Sequence, residues 1–213
     1  MKHEWRKAEK EFYLPQTKPE FVELPAFSFF TIKGKGNPNN EHFQVYIETL
    51  YAVSYAVKMN LKQGLTPKGY FDYTVYPLEG VWDITDSAKK NFNGILNKDE
   101  LIFKLMIRQP DFISNEYAQT MIDITHKKKP HLLLDQIAFE CIEEGPCVQM
   151  LHLGSYDSEP ESFNKMEKFA QAQLMRRRSK VHREIYLSDV RKVEPEKLRT
   201  VLRFKVEIIP DLK

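Results

Sequence analysis

A strand, a glycine loop and a helix recur in one register in the two halves of this chain, and that recurrence constrains the fold more than any other feature. Gly34 precedes Phe43 by nine residues, and Gly154 precedes Phe163 by the same nine. In the first copy, Phe27-Ser28-Phe29-Phe30-Thr31-Ile32 has strand character, and Gly34, Gly36, Asn37 and Pro38 mark a loop. Phe43, Tyr46, Ile47, Leu50, Val53, Ser54, Val57 and Leu61 then recur at three and four, which predicts a helix with one buried face. Asn39 or Asn40 is its capping candidate, and Gly64 stands just beyond its expected end. Strands over 70–76 and 101–108 complete the copy, joined by a longer connection that holds Pro77, Glu79, Gly80, Trp82 and Asp83.

The second half keeps this order. A strand over 148–153 ends in Gly154, and Ser158-Glu159-Pro160-Glu161 has the form of a capping box. Phe163, Met166, Phe169, Ala170 and Leu174 form the helix stripe, followed by a strand over 181–187 and a last strand over 200–208. Each copy therefore reads strand-helix-strand-strand. In the last strand Leu202, Phe204, Val206 and Ile208 alternate with charged residues, the pattern of a sheet covered by helices on one face. The fold class expected is α+β: duplicated β-α-β-β modules with helices on one face of the sheet and the other face free to receive a ligand; the pseudo-twofold antiparallel arrangement of the two copies is what the resemblance given below implies. Residues 1–20 read as a lead-in, too short for a DNA-binding domain. The remainder, 21–208, reads as a single domain of two repeats (about 21–110 and 132–208) linked by a helix within 111–130. Segment 132–142 reads equally as helix or strand.

The strand over 181–187 carries a carboxylate at its centre. Alternation puts Val181, Arg183, Ile185 and Leu187 on one face and His182, Glu184 and Tyr186 on the other. Glu184 reads either as a partly desolvated carboxylate that pairs with a cation or activates water, or as one half of a cross-strand ion pair with Arg203 or Lys205. Tyr186 is a candidate for stacking on a planar ligand or for donating to a developing oxyanion. Trp82 reads as a stacking platform or as a core plug. Glu79 is a candidate second carboxylate from the first copy, and Tyr55 a residue of the cleft's end.

Composition bounds the function. A chain of 213 residues with 42% hydrophobic and 12% aromatic residues supports a proper core, and its apolar runs fall far short of the roughly 20 residues of a membrane helix. The charged N-terminus shows no secretory pattern, so a cytoplasmic location is expected. Cys141 and Cys147 match no zinc or redox motif, and the six histidines show no ligand spacing; no metal or cofactor is expected. The net charge of +2 gives no argument for nucleic acid; the basic runs 176–180 and 127–129 could form a nucleic-acid or acidic-partner patch, but the first stands at an expected helix C-terminus, where cations complement the dipole, so nucleic acid is not the expected partner. Nucleotide-binding and serine-hydrolase motifs are missing from the sequence.

His152-Leu153-Gly154-Ser155-Tyr156, Glu184-Ile185-Tyr186-Leu187-Ser188-Asp189 and Leu198-Arg199-Thr200 together resemble the GyrI-like small-molecule-binding family over roughly 21–208. Gly154-Ser155-Tyr156 stands where that family usually has Gly-Pro-Tyr. The resemblance implies the pseudo-symmetric sheet and a cleft whose buried glutamate is Glu184. In sensor relatives this glutamate faces large, flat, often cationic drugs between aromatic rings. Some free-standing relatives look like hydrolases that open the cyclopropane of DNA-alkylating natural products, and Pro77-Leu78-Glu79-Gly80-Val81-Trp82 resembles that group more than the sensors. The ligand implied is a flat aromatic or hydrophobic small molecule. Other readings are non-catalytic binding of hydrophobic cations and, as in the family's namesake, interaction with DNA gyrase.

Overall fold

The computed structural model describes residues 2–61 and 66–209. Gly64, the expected helix stop, lies outside them. Of the described residues, 2–3 with 27–142 form one compact unit and 4–26 with 143–209 form another. Two short helices, α1 (Trp5–Ala8) and α2 (Lys10–Tyr13), precede β1 (Glu20–Lys35).

The first unit holds the first repeat. The later part of β1 is followed by α3 (Glu41–Leu61), β2 (Leu78–Ile84), α4 (Asp86–Lys90) and β3 (Leu101–Gln109). β3 pairs antiparallel with β1 on one side and with β2 on the other. The helix and the outer strands fall where the periodicity places them, but the middle strand does not. It is formed by 78–84, read above as a connection, whereas 70–76 contributes only an isolated bridge between Tyr73 and His3. Leu78, Gly80, Val81 and Trp82 extend across β3, and Pro77 sits just before the first paired residue, where its lack of an N–H costs nothing.

Gly34 lies inside β1 opposite Phe103, which in turn lies opposite Trp82. A Cβ on Gly34 would stand 2.4 Å from the Phe103 ring and 3.0 Å from Tyr46, so glycine here admits two packed rings. After β3, α5 (Asn115–Lys128) starts at Ser114, whose Oγ accepts from the Tyr117 N–H at 3.2 Å. Segment 132–142 resolves into a 3₁₀ turn, Leu134–Gln136, and the start of β4 (Ala138–Leu153), ten residues earlier than the strand predicted at 148. Thr31 and Lys104 both bond the Glu140 carboxylate, at 3.1 and 2.7 Å.

The second unit holds the rest of β4, α6 (Glu159–Ala172), β5 (Met175–Arg177), β6 (His182–Tyr186) and β7 (Arg199–Ile208). β7 pairs antiparallel with β4, β6 and β5. Val148, Met150, Leu202, Phe204 and Val206 from the strands and Met166 and Ala170 from α6 form one buried cluster. Each such side chain contributes about 1.5–3 kcal/mol when removed from water. Residues 175–177 form a strand, not the helix C-terminus expected. Their guanidinium groups are engaged within the unit: Arg176 pairs with Glu207, Arg177 with Glu167, and Arg178 Nε donates to the Val206 carbonyl.

The face of this sheet away from α6 carries Gln149 and Arg203, opposite one another in register. It is covered by the N-terminal segment: Gln149 donates to the Glu11 carbonyl at 2.7 Å, and Arg203 reaches the Phe12 carbonyl at 2.5 Å. Glu144 lies 3.1 Å from Arg183 and 3.2 Å from Arg203, a buried three-charge cluster. Burial pushes the Glu144 carboxyl up, and the two guanidinium groups more than reverse this, leaving it below its ordinary value. Among the described residues no helix is long and apolar enough to cross a membrane.

Candidate active site

The register of β6 on β7 sets Glu184 opposite Leu202 and Tyr186 opposite Thr200. Residues directly opposite in an antiparallel pair point to the same side of the sheet. Leu202 belongs to the core under α6, so His182, Glu184 and Tyr186 lie on the helix-bearing face. This corrects the sequence reading, which set Glu184 on the face away from the helices. It also removes the cross-strand ion pair: Arg203 bonds Glu144, and Lys205 donates to the Glu143 carbonyl.

Glu184 is buried, with 8% of its surface exposed. Its two oxygens have separate partners. His182 Nε2 lies 3.1 Å from Oε1, and the Tyr186 hydroxyl donates to Oε2 at 2.8 Å. All three side chains come from one strand at alternate positions, so the strand's period of two assembles the group without help from a loop. Tyr186 therefore orients the carboxylate with its hydroxyl, while its ring meets Tyr156 edge-on at 6.2 Å. His182 meets Phe163 of α6 at 4.8 Å, also near perpendicular.

The turn before α6 closes one end. Gly154 takes φ +125°, a conformation other residues rarely adopt. His152 is buried beneath the turn, with Nδ1 2.9 Å from Ser162 Oγ and Nε2 3.0 Å from the Ser155 carbonyl. Ser158 is the residue before α6 but makes no capping bond. Its hydroxyl donates to the Ser155 carbonyl at 2.8 Å and lies 3.3 Å from His152 Nε2, so the capping box read from the sequence is not formed. Burial, then the charges of Glu184 and Glu159, push the Tyr156 phenol well above its ordinary value. Tyr156 and Glu159 were both missed in the sequence, where Glu159 passed as an unremarkable position inside the capping motif.

The other candidates lie in the first unit. Glu79 and Trp82 are both on β2 but three apart on an unbroken register, so they point to opposite faces. Trp82 is buried against Phe43 of α3 at 6.0 Å and Phe103 at 5.4 Å. Glu79 is 1% exposed on the reverse face, opposite Met106. Tyr55 is half exposed on α3 and, with Tyr51, Met59, Ile124 and Lys128, lines a groove of about 400 Å³ between α3 and α5. Among the described residues no group of three or more His, Cys, Asp or Glu side chains is placed to hold a metal ion.

The chain matches the GyrI-like small molecule binding domain over residues 17–207. It belongs to the GyrI-like family. Two solved structures of hydrolases from Listeria innocua are each 35% identical to it. One covers 96% of this chain and 100% of its own with a TM-score of 0.85, the other 97% and 100% with 0.87. The C-terminal domain of EcmrR shares the GyrI-like fold at 14% identity, covering 90% of this chain and 98% of its own with a TM-score of 0.55. Among curated proteins none matches the chain. The GyrI-like match makes small-molecule binding the property of the domain.

Proposed function

We propose that this GyrI-like protein is a cofactor-independent hydrolase that adds water to the strained cyclopropane of flat, hydrophobic, DNA-alkylating compounds. The observation that carries this reading is the Glu184 carboxylate, buried yet held at both oxygens by His182 and Tyr186. A carboxylate fixed in this way keeps further lone pairs with which it can accept from a water, as a general base does. The Tyr156 and Tyr186 rings supply apolar, planar surface beside it. The 35% identity to Listeria hydrolases over nearly the whole chain supports hydrolysis as the reaction class.

In this mechanism the ligand's flat ring system lies against the tyrosines, and a water between ligand and Glu184 is deprotonated as it attacks a ring carbon. Positioning of the two reactants supplies a large share of the rate. Incubation of the purified protein with a cyclopropane-bearing alkylator, followed by mass spectrometry, is expected to give a product heavier by one water, and Glu184→Gln is expected to abolish it. Product formed at the same rate by that variant would overturn the mechanism. Tight binding of lipophilic cations without turnover is the outcome expected of the alternative reading, a binding or sensing module, which the same buried carboxylate and rings would serve.

A further inference from the structure

The turn before α6 and the helix itself carry Tyr156, Glu159 and Phe163 at spacings of three and four, so the three side chains share one face. Strand β6 carries His182, Glu184 and Tyr186 at spacings of two, also on one face. The outer members of these two triplets are in contact: Tyr156 with Tyr186 at 6.2 Å, and Phe163 with His182 at 4.8 Å. The seven steps from Tyr156 to Phe163 span about 11 Å and the four steps from His182 to Tyr186 about 13 Å, so the two triplets run antiparallel in step. Their middle members, Glu159 and Glu184, therefore face each other.

The two carboxyls have opposite surroundings. Both oxygens of Glu184 are bonded, whereas Glu159, only 7% exposed, has a buried Oε1 with no hydrogen-bond partner among the described residues. We propose that Glu159 is a second functional carboxyl of this site, the proton donor that complements Glu184 as base. The proposal rests on the hydrolase reading above.

Burial raises the Glu159 carboxyl most, and the negative charges of Glu184 and then Asp157 raise it further, so it holds its proton well above the usual carboxylate range. The charges that act on it are those of Glu184 and Asp157; its own charge acts on the Tyr156 phenol, and Glu184 is bonded in turn to His182 and Tyr186. The positive end of α6 favours a charged carboxylate there. That is outweighed by the cost of desolvating the ion and by the like charge that faces it. A carboxyl that keeps its proton, facing one whose two oxygens accept hydrogen bonds, has the arrangement of an acid and base pair.

The assigned step balances. Water forms a C–O bond to a cyclopropane carbon and gives a proton to Glu184. The ring C–C bond breaks, and its electron pair moves through the conjugated system onto a carbonyl oxygen. Glu159 protonates that oxygen, and the product is the substrate plus one water. Proton exchange between the two carboxyls then restores the starting state. Tyr186, whose hydroxyl is already committed to Glu184, does not have to supply this proton.

The test uses the full chain, labelled with carbon-13 at its glutamate carboxyls, as wild type, Glu159→Gln and Glu184→Gln. One resonance is expected to stay in the protonated position through neutral pH, to vanish in Glu159→Gln and to titrate at lower pH in Glu184→Gln. Lack of such a resonance, or its indifference to Glu184→Gln, would overturn the pairing. With a cyclopropane-bearing alkylator, Glu159→Gln is expected to lose about 100-fold or more in kcat with KM little changed, and Glu159→Asp to recover part of it. Wild-type turnover in Glu159→Gln would overturn the donor role and leave the hydrolase reading standing. No product from the wild type would overturn the hydrolase reading and the donor role with it, while the titration still decides the pairing.

Discussion

Replacing Glu159 by glutamine is expected to stabilise this protein, by an amount that grows with pH. The unfolded glutamate releases its proton near its ordinary value of 4.5, whereas the folded carboxyl, buried and facing Glu184, keeps it through neutral pH. Between those limits the folded state binds one more proton than the unfolded chain, so stability falls as pH rises, by about 1.4 kcal/mol per unit. At pH 7 the accumulated cost is about 3 kcal/mol, and below pH 4 it disappears. Glutamine has nearly the same shape and never ionises, so it escapes the cost. Urea unfolding of both proteins between pH 4 and pH 8 measures this directly. With a slope of about 3 kcal/mol per molar, the glutamine variant should unfold about 1 M later at pH 7 and together with wild type at pH 4. In a Glu184→Gln background the gap should stop growing at a lower pH, since with one repelling charge gone the folded carboxyl releases its proton sooner. A variant equal to or less stable than wild type at pH 7, or a gap independent of pH, would refute the reasoning. The same measurement ensures that lost turnover in Glu159→Gln is not lost folding.

Three further outcomes follow from other parts of the structure. Glu144→Ala should cost about 3–5 kcal/mol at neutral pH, because it leaves Arg183 and Arg203 buried without their carboxylate. Since the folded Glu144 carboxyl lies below its ordinary value, its contribution is present above pH 4.5 and is lost as pH falls through the folded value; acid titration of unfolding in wild type and variant checks this. Tyr186→Phe keeps the ring and removes the 2.8 Å bond to Glu184 Oε2, a charged hydrogen bond worth about 1.5–3 kcal/mol. If that bond is needed in the transition state, kcat should fall about 10- to 100-fold with KM nearly unchanged, as read by steady-state kinetics. Trp82→Ala should cost about 3–5 kcal/mol in urea unfolding, as expected of a ring buried against Phe43 and Phe103; a near-neutral change would show that the ring does not serve as core.

Much of the architecture was legible because it is written in local periodicity. The three-and-four spacing of α3 and α6, the alternation along β7 and the glycine register at 34 and 154 each depend on one segment at a time. The strand over 70–76 failed because its tyrosines and phenylalanine have strand propensity but only Tyr73 finds a bridge partner, while Leu78–Ile84 pairs fully with β3. Propensity here describes a side chain's fit to a pleated surface, and the pairing partner decides whether that surface exists. Likewise the motif 158–161 has the letters of a capping box, yet the Ser158 hydroxyl is drawn to the Ser155 carbonyl and His152.

The site divides along the same line. The sequence by itself determined that His182, Glu184 and Tyr186 share a face, since a strand's period of two depends on nothing outside the strand. It also determined that a helix follows each glycine-marked segment, although Gly34 lies inside β1 and only Gly154 makes a turn. Only the tertiary structure decided which side of the sheet that face is, because the side follows from Glu184 standing opposite Leu202, a register between two strands. It alone brought Glu159 to Glu184, through two ring contacts between residues 30 and 19 apart in sequence. Periodicity is a property of one chain segment, whereas a carboxyl's environment is the sum of what other segments bring to it.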